Sequence, residues 1–343
     1  MRPVLAVIAV LLLAVAMPAA AQDRRTFTDS AGRQVQVPVR VERVYAAGPP
    51  ASVLVFAVAP DKLIGWTSPF RAAERPFVPE RYAALPALGR LTGRGNTANV
   101  ETVLAAKPDV IIDYGTITPT YVSLADRVQE QTGIPYILID GSFGAMTRAY
   151  ALVGDLLGER DRARELAAYT EKILAETDAA RPARPPRVYY ARGPSGLQTG
   201  LAGSINVESL ERVGAINVAA EALGKGGLVQ VSMEQVLAWN PEVIITIDPN
   251  FYASVWHDPL WQGVAAVRAR RVYLSPAVPF GWVDFPPSVN RVIGLRWLTW
   301  VLRPEGAPAD ATDRVRDFFT RFYHRTPSDE QIAALLRESG LDR

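Results

Sequence analysis

Aromatic and arginine side chains recur just after the predicted strands of this chain of 343 residues. The members of this set are Trp66, Arg71, Tyr114, Arg192, Tyr252, Trp256 and Trp282. Aromatic faces stack on flat organic groups, and a guanidinium forms charge-assisted hydrogen bonds with anionic oxygens. In open α/β sheets, ligands bind outside the carboxyl ends of the strands, so these side chains should face one cleft. The pattern predicts a binding site for a bulky, partly anionic organic ligand.

The sequence lacks the residue combinations on which covalent or metal catalysis depends. It has no cysteine, no G-x-S-x-G motif, and only two histidines, His257 and His324. A G-x-G-x-x-A stretch at 93–98 does not follow a strand, as a dinucleotide-binding loop must. We therefore expect a binding protein with no catalytic residue, no metal site of its own and no cofactor. An exported hydrolase with an unrecognised site is the alternative.

Strands and helices alternate along the chain and predict an α/β fold. Apolar stretches such as KLIGW (62–66), DVIID (109–113) and EVIIT (242–246) read as strands, and the last two are typical of parallel sheets covered on both faces. A long segment without glycine or proline predicts one rigid helix between two Rossmann-like lobes, with a ligand cleft between the lobes. The predicted parts are an N-terminal α/β lobe over 22–158, a linker helix over 159–182, and a C-terminal α/β lobe with closing helices over 183–343.

The first residues, 1–21, have the features of a secretory signal peptide. Arg2 gives a positive start, an apolar run follows, and three alanines form a small-residue cleavage site before Gln22. The apolar run is too short for a stable membrane anchor, and no cysteine is present to carry a lipid. We expect a mature chain that is free in the periplasm. The charge of the full chain is nearly balanced, with 37 basic and 35 acidic residues, which argues against nucleic-acid binding.

One unit of the sequence occurs twice. Residues 99–113 (NVETVLAAKPDVIID) align without gaps with residues 232–246 (SMEQVLAWNPEVIIT). Glu101 meets Glu234, and the Val-Leu-Ala triplet, the proline, the following acid and the Val-Ile-Ile run also coincide. A helix–proline–strand unit repeated so far downstream indicates two lobes of similar architecture.

These features together resemble the periplasmic solute-binding proteins of ABC importers for ferric siderophores, haem and cobalamin. The most specific stretches are DSAGRQVQVPVRVERVY near the start, NVETVLAAKPDVIIDYG in the first lobe, and GSINVESLERVGAINVA with VSMEQVLAWNPEVIIT in the second. The resemblance covers essentially the whole mature chain. It implies the class of these proteins that has a single-helix linker, and we expect a monomer.

The resemblance also implies a partner and a ligand. In that family an acidic residue on each lobe docks onto arginines of an inner-membrane ABC permease, and by motif these residues are Glu101 and Glu234. A glutamate at a helix start is favoured by the helix dipole alone, so docking is a hypothesis. The implied ligand is an iron–siderophore or a similar metal complex. Oxyanions such as molybdate or tungstate, corrinoids and haem are alternatives, although no haem-ligating motif matches.

Overall fold

The computed structural model describes residues 23–93, 95, 97–303 and 305–341, so the predicted signal peptide (1–21) lies outside the described residues. The strands are β1 (Arg24–Thr28), β2 (Gln34–Pro38), β3 (Val44–Ala46), β4 (Val110–Gly115), β5 (Tyr136–Asp140), β6 (Arg187–Ala191), β7 (Gln198–Gly200), β8 (Ile216–Asn217), β9 (Leu228–Gln230), β10 (Val243–Thr246) and β11 (Val272–Leu274). The helices are α1 (Pro49–Val58), α2 (Glu80–Ala83), α3 (Val100–Ala106), α4 (Pro119–Thr132), α5 (Met146–Leu157), α6 (Arg160–Ala179), α7 (Glu208–Arg212), α8 (Val218–Leu223), α9 (Met233–Trp239), α10 (Pro249–Ser254), α11 (Ala265–Arg268), α12 (Arg291–Leu302), α13 (Ala311–Tyr323) and α14 (Asp329–Glu338).

The first lobe is built on a parallel sheet with the strand order β3-β4-β5. Successive residues of the central strand β4 point to opposite faces, and both faces are covered. Ile112 lies in the core under α1 and α5, while Ile111 lies in a second core with residues of α3 and α4. This alternation explains why the strand is apolar throughout, and it confirms the predicted α/β fold.

The second lobe repeats this plan with a parallel sheet in the order β11-β10-β6-β8. Its central strand β10 is also buried on both faces. Ile245 faces the main core, which includes α12, and Ile244 faces a separate core with Phe251 and Trp261. A small two-stranded antiparallel sheet of β7 and β9 lies beyond the carboxyl end of β6.

A long helix, α6, connects the two sheets. It runs from Arg160 to Ala179, close to the predicted range 159–182, in which no glycine occurs. It packs against α5 of the first lobe, where a Cβ on Gly154 would lie only 2.3 Å from that of Ala163. On its other side it contacts α12, whose residues are almost all buried. The linker is therefore held by helices along its length. No helix within the described ranges is long and apolar enough to cross a membrane.

The closing helices contact both lobes. The sequence groups them with the second lobe (183–343), and the Tyr323 hydroxyl of α13 donates a 2.8 Å hydrogen bond to the Asn290 side chain there, while α13 also contacts α1 of the first lobe. Phe319 of α13 lies 5.4 Å from Phe77 between ring centroids, and the His324 ring nitrogen is 3.0 Å from the Phe56 carbonyl oxygen. The apolar face of α13 meets a helix that is itself buried on nearly every side. The C-terminal end of the chain therefore packs partly on the N-terminal lobe.

The strand predicted for KLIGW (62–66) is wrong. This segment makes only isolated bridges to its neighbours, at Leu63 and at Trp66. A Cβ on Gly65 would lie 2.6 Å from the carbonyl oxygen of Pro86, so another stretch of chain passes directly over it. That crossing replaces regular pairing, yet the segment still delivers Trp66 to the space between the lobes.

Candidate functional site: a cavity between the lobes

A cavity of about 520 Å³ lies between the two lobes. Tyr114 at the end of β4 lines it from the first lobe, and Arg192, which follows β6, lines it from the second. The loop after β11 contributes residues between Ala277 and Pro287. Small-molecule sites measure roughly 300–1,000 Å³ and bind at the carboxyl ends of strands, as this cavity does.

Four of the seven residues predicted for the ligand site line this cavity. They are Trp66, Arg71, Tyr114 and Arg192. Trp66 and Tyr114 are buried and present only part of their surface to the cavity, whereas Arg71 lies at its exposed edge and pairs with Glu74. Strand ends of both lobes therefore meet at one place, as the sheet topology requires.

An aromatic cluster joins the lobes at the cavity wall. Trp66 and Phe70 of the first lobe lie with ring centroids 4.8 Å apart, and Phe280 of the second lobe is 5.7 Å from Trp66 and 5.6 Å from Phe70. The Trp66 indole nitrogen donates a hydrogen bond of 2.8 Å to the Tyr82 carbonyl, which fixes the ring. A flat ligand face can stack on such a surface.

A buried carboxylate organises the wall of the second lobe. Asp284 pairs with the Arg192 guanidinium and accepts hydrogen bonds of 2.8 Å from the Tyr190 hydroxyl and of 2.8 Å from the Asn206 amide. Burial, together with the charge of Asp284, raises the pKa of Tyr190 well above its ordinary value. Sequence reasoning missed Asp284 and Asn206 because single polar residues in loops carry no periodic signal.

Two guanidinium nitrogens at the cavity have no partner among the described residues. They are Nε of Arg192 and Nε of Arg90, both buried. A buried donor without an acceptor is costly. Arg90 and Arg192 both line the cavity and give its wall positive charge.

The first lobe contributes a buried carboxyl group that has no cationic partner among the residues that the structure describes. Asp113 accepts hydrogen bonds from the Thr92 hydroxyl at 3.2 Å, the Tyr136 hydroxyl at 3.1 Å and the Tyr114 amide at 3.0 Å. Burial raises the pKa of Asp113 because neutral donors compensate the charge only in part. Burial also raises the pKa of the neighbouring Tyr114 to about 12, so its hydroxyl stays protonated.

Phe285 is an exposed aromatic residue at the edge of the cavity. Its exposed fraction is 66%, the highest among the large apolar side chains of the described residues. Its φ of +59° is in the left-handed region, where a bulky residue is an outlier, and its amide donates a 2.6 Å hydrogen bond to Asp284. Strained residues cluster at ligand clamps. The Phe-Pro-Pro run at 285–287 is the sequence signal that could have identified it.

Trp282 was predicted in the cleft, and the structure corrects this. It is fully buried, does not line the cavity, and lies 6.4 Å from Phe319 of α13 between ring centroids. Its backbone is pressed against α12, since a Cβ on Gly294 would lie 2.0 Å from the Trp282 carbonyl oxygen. The loop after β11 turns inward at this residue, so its neighbours Phe280 and Phe285 face the cavity instead.

Tyr252 and Trp256 were also predicted in the cleft and do not line it. Both pack against the separate core of the second lobe, with their ring centroids 5.8 Å apart. Asp248 caps helix α10 and Phe251 anchors it against Trp261 at 4.7 Å. This anchoring holds the aromatic residues of α10 in the second lobe, away from the cavity.

The predicted docking residues, Glu101 and Glu234, are exposed on the first turns of α3 and α9. Neither lines the cavity. Hydrogen bonds from Ser232 and from its own amide lower the pKa of Glu234. Within the described part of the chain, no group of three or more acidic or histidine side chains could hold a metal ion.

Comparison with known proteins gives a consistent picture. The sequence pattern of the family described as "Periplasmic binding protein" matches residues 79–279. The solved structure of an ABC transporter solute binding protein from Sulfurospirillum deleyianum is 31% identical, covers 91% of this chain and 99% of its own, and superposes with a TM-score of 0.81.

A second relative is named for its ligand. The molybdate-binding protein MolA of Haemophilus influenzae is 26% identical over 339 residues, which is 90% of this chain and 93% of that protein. Its solved structure with bound molybdate covers 89% of this chain and 99% of its own, with 23% identity and a TM-score of 0.68, and has the same fold.

Proposed function

The chain belongs to the periplasmic binding protein family, and we propose that it captures an organic metal chelate of the iron–siderophore class for an ABC importer. The cavity between the lobes holds the chelate. The leader at 1–21 directs the chain to the periplasm, where it works as a monomer and delivers its ligand to an inner-membrane permease. Glu101 and Glu234 are the proposed contacts with that permease.

The partly exposed aromatic wall of the cavity carries this choice of ligand, because the volume of about 520 Å³ holds about 17 heavy atoms at roughly 30 Å³ each and so takes in one arm of a large chelate rather than all of it. At roughly 30 Å³ for each water-sized group, an oxyanion of five heavy atoms fills about 150 Å³. That is less than a third of the space, and much of the remaining wall is aromatic. The exposed parts of Phe70 and Phe280, which pack on the buried Trp66, would stay uncovered around a small oxyanion, whereas a chelate with aromatic arms would stack on them.

The charges of the wall support a chelate with anionic arms. Arg71, Arg90 and Arg192 line the cavity and can pair with anionic arms of a ligand. Asp113, Asp284 and Glu74 also line it, so among the described residues three arginines are balanced by three acids. A wall with balanced charges suits a bulky complex whose own charge is spread over many atoms. It suits a compact dianion less well, because the carboxylates would repel the dianion.

The proposal is tested by calorimetric titration of the mature protein with ferric tris-catecholate, ferric tris-hydroxamate, cobalamin and molybdate. We expect a ferric chelate to bind. Phe285→Ala should weaken it by up to tenfold, because a stacked ring contributes about 0.5–1.5 kcal/mol. The matched control is Leu260→Ala, which truncates another exposed apolar residue away from the cavity and should leave binding unchanged.

Molybdate is the second candidate, because the Haemophilus influenzae relative named for that ligand matches 90% of this chain. An oxyanion has no ring to stack, so its affinity should not respond to Phe285→Ala. It would depend on the guanidinium groups of Arg90 and Arg192 instead. Molybdate binding without a response to any ferric chelate would refute the chelate proposal and leave the importer assignment in place.

A further inference from the structure

One arginine is completely buried where the two lobes meet. Arg291, the first residue of α12, has no exposed surface, and its guanidinium pairs with Glu208 of α7 at 2.7 Å. Its Nε also donates to the Ser288 carbonyl at 3.3 Å. Taking a cation out of water is costly, and apolar residues of similar volume often pack as well or better. A buried ion pair therefore contributes less to stability than to fixing one arrangement of the chain around it.

Both members of this pair reach across to the first lobe. The Arg291 guanidinium donates to the Gly141 carbonyl just after β5 and lies 4.4 Å from the centre of the Phe143 ring. The other carboxylate oxygen of Glu208 accepts the Phe143 amide at 2.9 Å. We call Gly141, Phe143, Glu208 and Arg291 the interlobe clasp. Its crossing contacts all fall on the short segment that follows β5.

On the first-lobe side, the clasp is connected to Tyr114, which lines the cavity. The Tyr114 hydroxyl donates to the Gly141 carbonyl at 3.4 Å, and this is the same oxygen that accepts from Arg291. The packing here is close, because a Cβ on Gly141 would lie 3.2 Å from the Tyr114 ring and 3.1 Å from the Cα of Gly115. The position of the Tyr114 ring is therefore coupled to that of the clasp.

On the second-lobe side, the clasp is connected to the wall that Asp284 organises. Arg291 donates to the Ile205 carbonyl at 3.4 Å, and both Ile205 and the next residue, Asn206, line the cavity. The Asn206 amide in turn donates to Asp284 at 2.8 Å, and Asp284 pairs with Arg192. A single guanidinium thus joins the two walls of the cavity from behind, without lining the cavity itself.

We propose that Arg291 is a positioning residue, which holds the two walls of the cavity at the separation that the ligand requires. The guanidinium has five donors in a flat, fixed fork, so it can serve acceptors of both lobes at once. A site that is held in its binding arrangement binds more tightly, since less free energy is lost in rearranging the lobes. The inference rests on the proposed function for the identity of the ligand, but not for the arrangement of the lobes.

The inference is tested by measuring the distance between the lobes. The chain has no cysteine, so spin labels attach only to cysteines that replace Ala105 and Ala238, which are exposed on α3 and α9. Pulsed electron paramagnetic resonance then gives the distribution of distances between the two labels. We expect a broader distribution in Arg291→Lys than in the parent protein, because an ammonium group keeps the charge but cannot reproduce the fork.

Glu208→Gln is the second variant, and it decides the question if Arg291→Lys folds poorly. The Glu208 side chain is 27% exposed, so its substitution is easier to accommodate than that of Arg291. Glutamine keeps an acceptor for the Phe143 amide but removes the charge opposite Arg291. The distance distribution should broaden in this variant as well, though less than in Arg291→Lys.

The matched control is Arg296→Lys. Arg296 lies on the same helix, is also buried and also pairs with a glutamate, but this partner is Glu176 of the linker helix α6, at 2.8 Å, away from the cavity. The substitution should lower stability, as Arg291→Lys does, and leave the distance distribution unchanged. The control therefore separates the clasp from a general weakening of α12.

Titration with ferric tris-catecholate adds a readout that a purely structural role would not change. If the walls of Arg291→Lys keep the binding arrangement in only about a tenth of the molecules, the affinity falls about tenfold, whereas Arg296→Lys should bind as the parent does. A parent-like distance distribution in Arg291→Lys, equal broadening in Arg296→Lys, or an unchanged affinity beside a broadened distribution would overturn the inference. If the parent binds no ferric chelate, the proposed function fails, and the distance measurement still decides the role of Arg291.

Discussion

The two copies of the repeated unit are alike at their outer helices and differ at the ends of their strands. Helices α3 and α9 each have seven residues, start at a side-chain cap and end at a left-handed residue, Lys107 or Asn240. The acid after the proline plays the same part in both. Asp109 accepts the Arg43 amide at 2.9 Å, and Glu242 accepts the Arg187 amide at 3.3 Å. Each carboxylate thereby ties its unit to the start of the neighbouring strand.

The strand ends then diverge. β4 leads into Asp113 and Tyr114, which both line the cavity. The residue aligned with Asp113 is Thr246, which ends β10 and is followed by the capped helix α10. Neither Thr246 nor α10 lines the cavity. The second lobe reaches the ligand site through Arg192 and the loop after β11 instead.

This difference separates two requirements on the same fold. The outer helices match, as the proposed docking of both lobes onto one permease requires. The inner strand ends differ because each lobe contributes different groups to the one cavity. Positions that carry the same residue in both copies should therefore respond alike to substitution, and positions whose residues differ should respond differently.

The largest expected effect compares the two buried carboxylates of the cavity. Asp284→Asn leaves the buried Arg192 guanidinium without its counter-charge, and removing one partner of a buried ion pair costs about 3–5 kcal/mol. Asp113→Asn leaves no cation unpaired, because neutral donors surround that carboxyl, and should cost less than about 1 kcal/mol. Urea unfolding of both variants at neutral pH measures the difference. Equal costs would contradict the distinction between the two walls.

A smaller effect concerns the C-terminal ends of α3 and α9. Both helices end at a residue in the left-handed conformation, but the residue is a lysine in α3 and an asparagine in α9. Lys107 has a φ of 46°, which an L-residue with a long side chain adopts at a cost, so Lys107→Gly should stabilise the protein by roughly 0.5–1 kcal/mol. Asn240 has a φ of 42°, which asparagine tolerates, and its side chain accepts the Ala265 amide at 2.9 Å. Asn240→Gly loses that bond and should destabilise by roughly 0.5–1 kcal/mol.

The two glycine variants are compared by their urea midpoints in one buffer. Opposite signs are expected because the first substitution relieves a strained backbone and the second removes a hydrogen bond. Changes of the same sign at both sites would mean that the two C-terminal caps are equivalent in energy as well as in shape.

Sequence pattern was sufficient for the repeated elements because each is specified locally. The unit around Glu101 and its copy around Glu234 combine a cap, an apolar stripe, a proline and a buried strand, and each signal agrees with the others. The parallel sheets, the linker and the strand-end positions of Tyr114 and Arg192 followed from the same patterns. These two residues lie at or next to the end of a strand, where topology alone fixes their direction.

Residues farther from a strand could not be placed in this way. Trp282 and Phe285 are three positions apart in one loop, yet one is buried and the other is exposed at the cavity. The difference arises from the contact of Gly294 with the Trp282 backbone, which joins segments that the sequence gives no reason to pair. The packing of α13 on the first lobe is missed for the same reason. An amphipathic helix shows that it needs a partner surface without showing which one.

The smallest expected effect concerns a contact that only the first lobe has, where the closing helices dock beside His324. Burial lowers the pKa of His324, and the charge of Arg162 acts in the same direction. The unfolded chain therefore binds a proton more readily than the folded chain as pH falls below the ordinary histidine value of 6.5, so stability declines with falling pH in that window.

Asparagine tolerates the left-handed backbone of this position, where φ is 52°, and it does not titrate. His324→Asn should therefore lower stability somewhat at every pH, since the contact with the Phe56 carbonyl changes, while flattening the decline between pH 7 and 5.5. Urea unfolding across that range measures the slope, and amide exchange in α1 shows whether the loss begins in the first lobe. A slope that is the same in the variant and the parent protein would assign the pH dependence to other groups.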